Sequence, residues 1–354
     1  MTKTAVKALD ALNEAHKIAL APFLFQSVVC LRNLGVFDEI FKHRKKGGAK
    51  MAEIAETLSL SEYGLGVLLE MAESSDIVEK NELGHFELTK TGYFLAYHPT
   101  VNVNVNFTQD VCYKGLFHLE DAIKNGQPEG LKELGSWPTI YEGLSKLPSD
   151  VQKSWFEFDH HYSDDIFRLA LQQVLKNKPR KIFDIGANTG KFSIACCEED
   201  EQVEVTMIDL PGQLEMALKN AQEKGFEERI TGYEIDWLKD NPKIPTGADT
   251  IWLCQFLDCF SKEEILKILS TCVASMDDHT QLVIVETYTD RQRFDSSKYV
   301  LEATSLYFTV MANGNSKMYK STDILELAEQ AGLEIYKDLP LGEYHTMYIC
   351  KKSS

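Results

Sequence analysis

The sequence predicts an α/β protein in which a mostly helical winged-helix domain precedes a doubly wound, Rossmann-like domain. From Lys181 onward, short apolar segments alternate with helical patterns, as in a sheet of parallel strands covered by helices on both faces. The first 100 residues show helical spacing and then the pattern of a small winged helix. We therefore predict an N-terminal domain over residues 1–105, a helical connection over 106–178 and the α/β domain over 179–354.

Composition is typical of a globular protein with an acidic surface. The 354 residues are 44% hydrophobic, and 37 basic against 54 acidic residues give a net charge of −17, which opposes binding to nucleic acid and anionic membranes. The longest wholly apolar run, Ile18–Phe25, is too short to span a bilayer. The N-terminus carries Asp10 and Glu14 and lacks the apolar core of a signal peptide. We expect a cytoplasmic protein without nucleic-acid or membrane partners.

The cysteines and histidines predict neither disulfides nor a metal site. Eight cysteines occur and none forms a C-x-x-C pair, so we expect buried free thiols. A zinc site needs closely spaced Cys or His ligands, and only the adjacent His160 and His161 come near that pattern. No metal is therefore predicted.

The N-terminal elements follow from apolar spacing and turn residues. Helical spacing covers 3–19, 21–34, Met51–Leu58 and Ser61–Ser74, the last two as a helix-turn-helix pair. The wing follows as a hairpin, with strands over Asp76–Glu79 and His85–Thr89 on either side of the turn Asn81–Gly84.

A winged helix raises the hypothesis of a DNA-binding regulator, which the charges oppose. Residues 61–79 contain five acidic side chains and no Lys or Arg, whereas DNA binding depends on cations that face phosphates. The basic cluster lies earlier and is typical of a solvated loop; it comprises Lys42, Arg44, Lys45, Lys46 and Lys50. The regulator is the least favoured alternative.

Residues 101–178 have helical spacing, and the strands of the α/β domain follow them. Within the helical region, Trp155–Tyr162 is dense in aromatic side chains, which fit a core stripe and a substrate wall about equally. The predicted strands are 181–185, 203–208, 230–235, 249–254, 281–287, 333–338 and 345–351. The last two are predicted to form an antiparallel hairpin joined by Pro340-Leu-Gly-Glu.

The run Lys181–Gly190 predicts a buried strand that breaks into a glycine turn and opens a helix. Gly186 and Gly190 let the backbone turn and approach a ligand closely, as in a nucleotide pocket. The run lacks the G-x-G-x-x-G pattern of a pyrophosphate loop and carries Asp184 at the strand end. Asp209 follows 25 residues later, where an acid fits a ribose diol. Two acids suit a positively charged adenosine ligand, and the sulfonium of S-adenosylmethionine provides such a charge.

Three segments resemble the motifs of one enzyme family. Asp184-Ile-Gly-Ala-Asn-Thr-Gly190 resembles a D-x-G-G-G-x-G loop with two glycines replaced, and Ile208-Asp-Leu-Pro211 is similar to an I-D-L-P element. Cys254–Glu264 resembles an L-H-D-W-S-D-E segment. Over nearly its whole length the chain resembles the S-adenosylmethionine-dependent small-molecule O-methyltransferases of the caffeic acid and hydroxyindole type. The resemblance implies that the winged helix pairs subunits, and hence a homodimer through the N-terminal domain.

The resemblance also implies S-adenosylmethionine as cofactor and S-adenosylhomocysteine as product. The implied cofactor-binding residues are Asp184, Gly186, Gly190, Asp209, Leu210, Asp236, Trp237 and Cys254. Asp236 would accept a hydrogen bond from the adenine amino group and Trp237 would stack on the ring, although Asp236 alternatively fits a helix cap or turn. Cys254 stands where the family has a lysine that helps hold the cofactor.

The catalytic positions depart from the family. Asp258 falls on the family's histidine base, and Met318 falls on the second of two glutamates that flank it. Glu286, 28 residues after Asp258, matches the first glutamate. A phenol has a pKa of about 10 and a free Asp about 3.9, so Asp258 would need a raised pKa or a more acidic acceptor. We predict Asp258 as a weaker base or orienting group, with Glu286 beside it.

The methyl acceptor is predicted to be a small aromatic molecule that bears a hydroxyl group. Its pocket would be lined by the mostly apolar residues Phe158, Tyr162, Tyr307, Phe308 and Met311, each of which also fits a core position. The chain is thus predicted to be an O-methyltransferase with atypical catalytic residues. The alternative is a protein on the same fold that binds the cofactor without transferring methyl, or with altered chemistry, because fold does not fix function.

Overall fold

The computed structural model describes residues 7–353 and, within them, every side chain except those at positions 164 and 165. The chain divides between Gln109 and Asp110 into two compact units. The predicted three-way division at residues 105 and 178 stays a prediction. Among the described residues, no helix has both the length and the apolar character needed to cross a membrane.

The first unit is mostly helical and contains one short hairpin. The predicted helices and the hairpin occur in the predicted order, and two further helices, over Val36–Lys42 and Lys90–Tyr97, were not predicted. The part of the first predicted helix over residues 3–6 lies outside the described residues. The elements are α1 (Ala8–Ala19), α2 (Ala21–Asn33), α3 (Val36–Lys42), α4 (Met51–Leu58), α5 (Glu62–Ser74), β1 (Val78–Lys80), β2 (Phe86–Leu88), α6 (Lys90–Tyr97) and α7 (Pro99–Phe107).

The predicted hairpin turn is shaped by one side chain. Asn81 Oδ1 accepts hydrogen bonds from the backbone N–H groups of Leu83 and His85, at 3.0 and 3.1 Å. β1 and β2 then pair antiparallel, with Val78 opposite Leu88. The turn therefore sets the register of the wing.

The basic cluster of the first unit is partly neutralised by its own neighbours. Lys42 Nζ lies 2.8 Å from Glu39 Oε2, and the Arg44 guanidinium lies 3.8 Å from the centre of the Phe41 ring. A further cation of the cluster, on Lys50, pairs with a glutamate in the first turn of α4. These local contacts fit a solvated loop better than a surface that collects phosphates.

The second unit alternates helices and strands after a helical start. Its elements are α8 (Leu119–Asn125), α9 (Ile140–Gly143), α10 (Ser149–Val174), β3 (Lys181–Ile185), α11 (Lys191–Glu199), β4 (Glu204–Asp209), α12 (Pro211–Glu223), β5 (Ile230–Glu234), β6 (Thr250–Cys254), α13 (Lys262–Ser275), β7 (Gln281–Thr287), α14 (Asp295–Tyr307), α15 (Ser321–Gln330), β8 (Leu333–Leu341) and β9 (His345–Lys352). Short 3₁₀ and π-helical turns join several of them.

Within residues 7–353, seven strands form one sheet in the order β5-β4-β3-β6-β7-β9-β8. The first five are parallel, whereas β9 pairs antiparallel with β7 and β8. Helices α13 and α15 pack on one face, and α10, α11 and α12 on the other. Strands covered on both faces must be apolar on both, which is why β3, β6 and β7 are nearly continuous apolar runs. The predicted doubly wound fold is confirmed.

One connection differs from the prediction. Pro340 and Leu341, predicted to lie in the turn before the last strand, belong to β8 and pair with Thr346 and His345. β8 is the edge strand of the sheet, where a proline without an N–H group is tolerated. The turn is therefore confined to residues 342–344.

The parallel strands β3, β4, β6 and β7 end at one edge of the sheet, where ligands bind in folds of this kind. The glycine turn lies there and is tied to β4. The Gly186 N–H donates to the Ile208 carbonyl at 2.9 Å, and the Asn188 N–H donates to Asp209 Oδ2 at 2.8 Å.

Both glycines of the turn are required by the fold itself. Gly186 has a φ of 71°, and a Cβ on it would lie 2.3 Å from Cδ2 of the Phe256 ring. Gly190 has a φ of 77°, and a Cβ there would lie 3.1 Å from Met207 Sδ. Backbone conformation and packing thus demand glycine at both positions before any ligand is considered.

Gly186→Ala should lower the free energy of unfolding, because it combines left-handed backbone strain with a clash against Phe256. We expect a loss of roughly 2–4 kcal/mol in urea unfolding without cofactor. Gly212→Ala is the matched control, since a Cβ at Gly212, in the first turn of α12, meets no atom within 4 Å. Equal effects of the two substitutions would contradict this account of the turn.

Candidate cofactor and catalytic site

A cleft lies at the carboxyl edge of the sheet, between the glycine turn, α10 and the end of β6. It holds about 500 Å³ of space outside the protein atoms, including its open mouth. Asp184, Gly186 and Cys254 of the predicted cofactor set line it. So do four side chains of α10 that were not predicted to bind the cofactor, namely Asp159, His160, Ser163 and Phe167.

Hydrogen bonds hold the glycine turn against α10. Asn188 Nδ2 donates to Asp159 Oδ2 at 2.8 Å, and Thr189 Oγ1 lies 3.5 Å from His160 Nε2. Asn188 has a φ of 52°, a left-handed conformation that Asn tolerates better than most non-glycine residues. The asparagine that replaces a glycine of the motif therefore connects the turn to the helix.

Asp184 is a buried carboxyl in the wall of the cleft. It is 2% exposed, and its Oδ2 accepts a hydrogen bond from Ser193 Oγ at 2.6 Å. Burial raises the pKa of Asp184 to about 7 despite this hydrogen bond, and the charge of Asp209 contributes in the same direction. A cation in the cleft would favour the ionised form, so Asp184 is suited to respond to a positive ligand.

Asp209, at the end of β4, holds the glycine turn by hydrogen bonds and lies at the edge of the sheet where ligands bind. Its Oδ2 accepts the Asn188 N–H at 2.8 Å and its Oδ1 accepts the Leu210 N–H at 2.7 Å. Burial raises the pKa of Asp209 to about 6, against these two hydrogen bonds. Each carboxylate oxygen keeps a second lone pair, so the group can still accept hydrogen bonds from a ribose diol. The contribution of Leu210, a predicted cofactor-binding residue, is the backbone N–H that Asp209 Oδ1 accepts.

Asp236 and Trp237, the predicted adenine-binding pair, differ in their hydrogen bonds. Asp236 Oδ1 accepts the Leu238 N–H at 3.0 Å, so the turn role left open by the sequence is realised, and Oδ2 lies 3.9 Å from Lys239 Nζ. Trp237 is buried, with its ring 6.1 Å from that of Phe256 in an edge-to-face arrangement. The Trp237 indole N–H finds no hydrogen-bond partner within residues 7–353.

The residues at this edge fit a cationic adenosine cofactor. Buried polar atoms cost free energy when they lack hydrogen bonds, and three such atoms lie on the elements around the cleft. In the described part of the chain, Asn188 Oδ1, Trp237 Nε1 and Glu286 Oε2 are buried without a partner. The described residues contain no group of three or more His, Cys, Asp or Glu side chains arranged to hold a metal ion.

Asp258 and Glu286 form a buried carboxyl pair after β6 and at the end of β7. Glu286 Oε1 accepts the N–H groups of Phe256 and Leu257, at 3.0 and 2.9 Å. Burial, and next the charge of Asp258, raise the pKa of Glu286 well above its usual range. Burial raises the pKa of Asp258 to about 6, against a hydrogen bond from the Cys259 thiol. Two carboxylates this close oppose double ionisation, so their proximity and burial favour a proton on the pair.

Three further side chains surround this pair. The Cys259 thiol donates to Asp258 Oδ1 at 3.5 Å. Tyr141 of α9 brings a buried hydroxyl close to Cys259, and burial followed by the Cys259 charge raises the pKa of that phenol. Met318 occupies the position where the resemblance implies a second glutamate, and its Sδ lies 3.8 Å from Thr287 Oγ1. Tyr141 was not predicted as a site residue, because α9 is a short helix distant in sequence from Cys259 and has no motif that indicates a contact between them.

The predicted acceptor residues fall into two groups. Phe158 and Tyr162 lie half-buried on α10, with ring centres 5.1 Å apart. The second group, buried at the end of α14 and in the π-helical turn after it, comprises Tyr307, Phe308 and Met311. The hydroxyl of Tyr307 accepts a hydrogen bond from Trp155 Nε1 at 2.8 Å. The second group thus has a packing role already, and its contact with an acceptor stays a prediction.

His345 lies at the same edge and was also not predicted. It begins β9, whose antiparallel direction brings its first residue to the ligand edge opposite Thr287. His345 is 5% exposed, and neither ring nitrogen has a hydrogen-bond partner among residues 7–353. Burial lowers the pKa of His345 to about 4, so the ring is neutral. A lone His at the start of an apolar strand gives no functional signal in the sequence.

Two family models match the chain. A model of the O-methyltransferase domain matches residues 117–334, a range that contains the glycine turn, the cleft and both carboxyls of the pair. The chain belongs to the O-methyltransferase family. A second model, of a Dimerisation2-like domain, matches residues 13–86 in the first unit. The resemblance indicated by the sequence motifs is thereby confirmed, and with it S-adenosylmethionine as the cofactor of this O-methyltransferase family.

Similarity to known methyltransferases extends along most of the chain. The L-tyrosine C(3)-methyltransferase of Streptomyces lavendulae is 21% identical over 316 residues, covering 87% of this chain and 83% of the relative. The bacteriochlorophyllide d C-20 methyltransferase of Chlorobaculum tepidum is 22% identical over 341 residues, covering 94% and 95%. The structure of human N-acetylserotonin methyltransferase in complex with S-adenosylmethionine superposes with a TM-score of 0.67 at 19% identity, covering 100% of both chains. These likenesses establish the fold of the O-methyltransferase.

Asp184→Asn should change how the stability of the cofactor-free O-methyltransferase depends on pH. The folded-state pKa of about 7 lies above the usual value of 3.8 for a free Asp, so the contribution of Asp184 to the free energy of unfolding is fully present below pH 4 and lost as pH rises through 7. The variant lacks that loss. At pH 8 it should be more stable than the parent by up to about 4 kcal/mol, with little difference at pH 4, in urea unfolding.

Asp277→Asn is the control with the opposite sign. Hydrogen bonds from the backbone of His279 and from Thr280 lower the pKa of Asp277, so its contribution is present above the unfolded pKa and lost as pH falls. This variant should be less stable than the parent at pH 8. Parallel pH responses of the two variants would contradict the assignment of Asp184.

His345→Leu should raise the stability of the cofactor-free protein. A buried imidazole without hydrogen bonds costs free energy that leucine avoids, so we expect a gain of about 1–2 kcal/mol in urea unfolding. His85→Leu is the matched control, because His85 Nδ1 lies 2.8 Å from the Gly47 carbonyl and loss of that contact should destabilise. A loss of stability at both positions would show that His345 is bonded in solution.

Proposed function

We propose that the chain transfers a methyl group from S-adenosylmethionine to a hydroxyl group on a small aromatic molecule. The observation that supports this most is the buried carboxyl pair of Asp258 and Glu286, in which burial raises the pKa of both groups. When bound, S-adenosylmethionine supplies a methyl group on an electrophilic sulfonium. The residues of the chain hold the acceptor oxygen in line with it and move one proton.

Glu286 orients the acceptor as a hydrogen-bond donor in this proposal. Its Oε1 already accepts two backbone N–H groups, so its proton resides on Oε2, the oxygen without a partner in residues 7–353. A neutral acid in this position can donate to the acceptor oxygen. Burial and the charge of Asp258 raise the pKa of Glu286, which favours that proton.

Asp258 receives the acceptor's proton. As the acceptor oxygen gains the methyl group that bound S-adenosylmethionine would supply, leaving S-adenosylhomocysteine, the proton of the hydroxyl would pass to the Asp258 carboxylate. With the pKa of Asp258 raised to about 6, full transfer from a phenol with a pKa near 10 costs about 5 kcal/mol, instead of about 8 for a free Asp. A cost of this size lies within what positioning of the reactants contributes to catalysis.

The proposed binding roles follow the predicted sets. The cofactor is held by the backbone of the glycine turn, by the carboxylates of Asp184, Asp209 and Asp236, and by the Trp237 ring, with Leu210, Gly186, Gly190 and Cys254 bordering it. Phe158 and Tyr162 face the acceptor from α10. Tyr307, Phe308 and Met311 line the acceptor pocket from the end of α14 and the π-helical turn after it. This assignment puts acidic groups around the cationic cofactor and apolar groups around the acceptor.

Methyl transfer to an aromatic carbon is the second candidate. The names of two relatives state carbon positions, C(3) of L-tyrosine and C-20 of bacteriochlorophyllide d. A hydroxyl group beside the reacting carbon would use the same pair, since loss of its proton to Asp258 makes the neighbouring ring carbon more nucleophilic. The two candidates differ only in the atom that carries the methyl group in the product.

Labelled methyl transfer tests both candidates. The full chain is incubated with methyl-labelled S-adenosylmethionine and a panel of hydroxylated aromatic compounds, and mass spectrometry with NMR locates the label on oxygen or carbon. Oxygen-linked product supports the proposal and carbon-linked product the second candidate. Cofactor binding without any labelled product across the panel would favour a binding protein on this fold.

Asp258→Asn and Glu286→Gln separate the roles of the two carboxyls. The Asn variant cannot take up a proton, so we expect turnover to fall about 100-fold to 10,000-fold with little change in cofactor affinity. The Gln variant keeps an acceptor for the two N–H groups and a donor for the substrate, and should lose no more than about 10-fold. Turnover of the parent should rise with pH through about 6, where Asp258 ionises. The reverse order of losses would overturn the assignment.

We also propose that two copies pair through the first unit. The match to a Dimerisation2-like domain supports this, and so do exposed apolar side chains on and between α1 and α2. They are Leu9, Leu12, Ile18, Leu20 and Phe23. The lack of a nucleic-acid partner stays a prediction from the net charge of −17.

A further inference from the structure

Cys254 is a neutral side chain surrounded by carboxyl groups. It ends β6 and lines the cleft together with Asp159 and Asp184. Burial raises the pKa of its thiol well above the usual range, and the charges of Glu286, Asp184, Asp159 and Asp258 raise it further. These four carboxyls come from β7, β3, α10 and the turn after β6. Cys254 therefore lies where the cofactor cleft adjoins the catalytic pair.

The charges that face this region are mostly negative. The carboxyl groups are Asp159, Asp184, Asp209, Asp258 and Glu286. The other titratable side chains that line the cleft are His160 on α10, the Cys254 thiol and Lys191, which is exposed at the start of α11. The unpartnered Glu286 Oε2, buried within the described part of the chain, shows that the cluster is not closed by its own hydrogen bonds.

We propose that this arrangement selects the cationic cofactor over its neutral product, and that Cys254 is the position that sets the selectivity. S-adenosylmethionine and S-adenosylhomocysteine share the adenosine, the ammonium and the carboxylate, and differ by the methyl group and the positive charge of the sulfonium. The ratio of their affinities therefore isolates the interaction of that charge with the carboxyls. The proposal rests on the cofactor of the family and is independent of the methyl acceptor.

The selectivity depends on pH with a definite sign. In the cofactor-free cleft, burial raises the pKa of Asp184 to about 7 and those of Asp209 and Asp258 to about 6. A bound cation favours the ionised carboxylates, so its binding releases protons near these pH values. The affinity for S-adenosylmethionine should rise between pH 5.5 and 8. S-adenosylhomocysteine lacks the sulfonium, so its affinity should rise less.

Isothermal titration calorimetry on the full chain tests the wild type first. The ligands are S-adenosylmethionine, S-adenosylhomocysteine and sinefungin, an unreactive analogue with an amine in place of the methylated sulfonium. At pH 8 we expect both cationic ligands to bind at least about 10-fold more tightly than S-adenosylhomocysteine, and the ratio to shrink several-fold at pH 5.5. Tighter or equal binding of S-adenosylhomocysteine at pH 8 would overturn the proposal.

Two variants then test Cys254 itself. Cys254→Lys adds a positive charge and should reduce the preference for the cationic ligands by at least about 10-fold, mainly by weakening them. Cys254→Met adds length without charge and should retain the preference even if all three affinities fall. Equal preference in both variants would exclude Cys254 as the determinant. No step of this experiment uses a methyl acceptor. The measured ligand preferences therefore test the role of Cys254 even if no methyl transfer is found.

Discussion

Burial of carboxyl groups at one edge of a parallel sheet is the constraint on which the rest of the site depends. Asp184, Asp209 and Glu286 stand at the ends of β3, β4 and β7, where helices on both faces exclude water and oppose ionisation. Hydrogen bonds from backbone N–H groups and from Ser193 offset part of that cost. Without a ligand the pKa values of these groups stay raised by burial. A cation or a hydrogen-bonding acceptor in the cleft would therefore offset part of the free-energy cost of burying the carboxyl groups.

The glycine turn transmits this constraint to α10. Asp209 holds the Asn188 N–H from one side, and the Asn188 amide holds Asp159 of α10 on the other. The same helix carries Trp155, whose indole N–H donates to Tyr307 at the end of α14. A displacement of α10 therefore changes the cofactor cleft and the aromatic region together. The polar cofactor cleft and the apolar aromatic region are therefore structurally coupled through α10.

The fold was accessible from the sequence because its signals are local. β3, β6 and β7 are apolar on both faces, and a glycine turn or an acid marks where a strand ends. Asn188 in the turn looked like a departure from a glycine motif, whereas its amide clamps α10. His345 and Tyr141 could not be predicted, because their surroundings arise from the register of β9 and from a contact of α9 with Cys259, both between segments distant in the chain. Asp236 was predicted in part. The turn residue that the sequence offered as an alternative is realised by Oδ1, which accepts the Leu238 N–H, whereas the position of Oδ2 near Lys239 was not predicted.

The proposed base, Asp258, in place of the histidine that the resemblance implies, would change the charges of the reaction more than its basicity. Burial brings the pKa of Asp258 to about 6, close to the value of about 6.5 for a free imidazole. A histidine begins neutral and becomes a cation, which needs carboxylates beside it. An aspartate begins negative and becomes neutral while the sulfonium loses its positive charge, so opposite charges disappear together. Such a change is favoured in a buried cleft of low dielectric constant. A neutral Asp258 would also need no second carboxylate, which gives a physical reason why Met318 can occupy the position where the resemblance implies a glutamate.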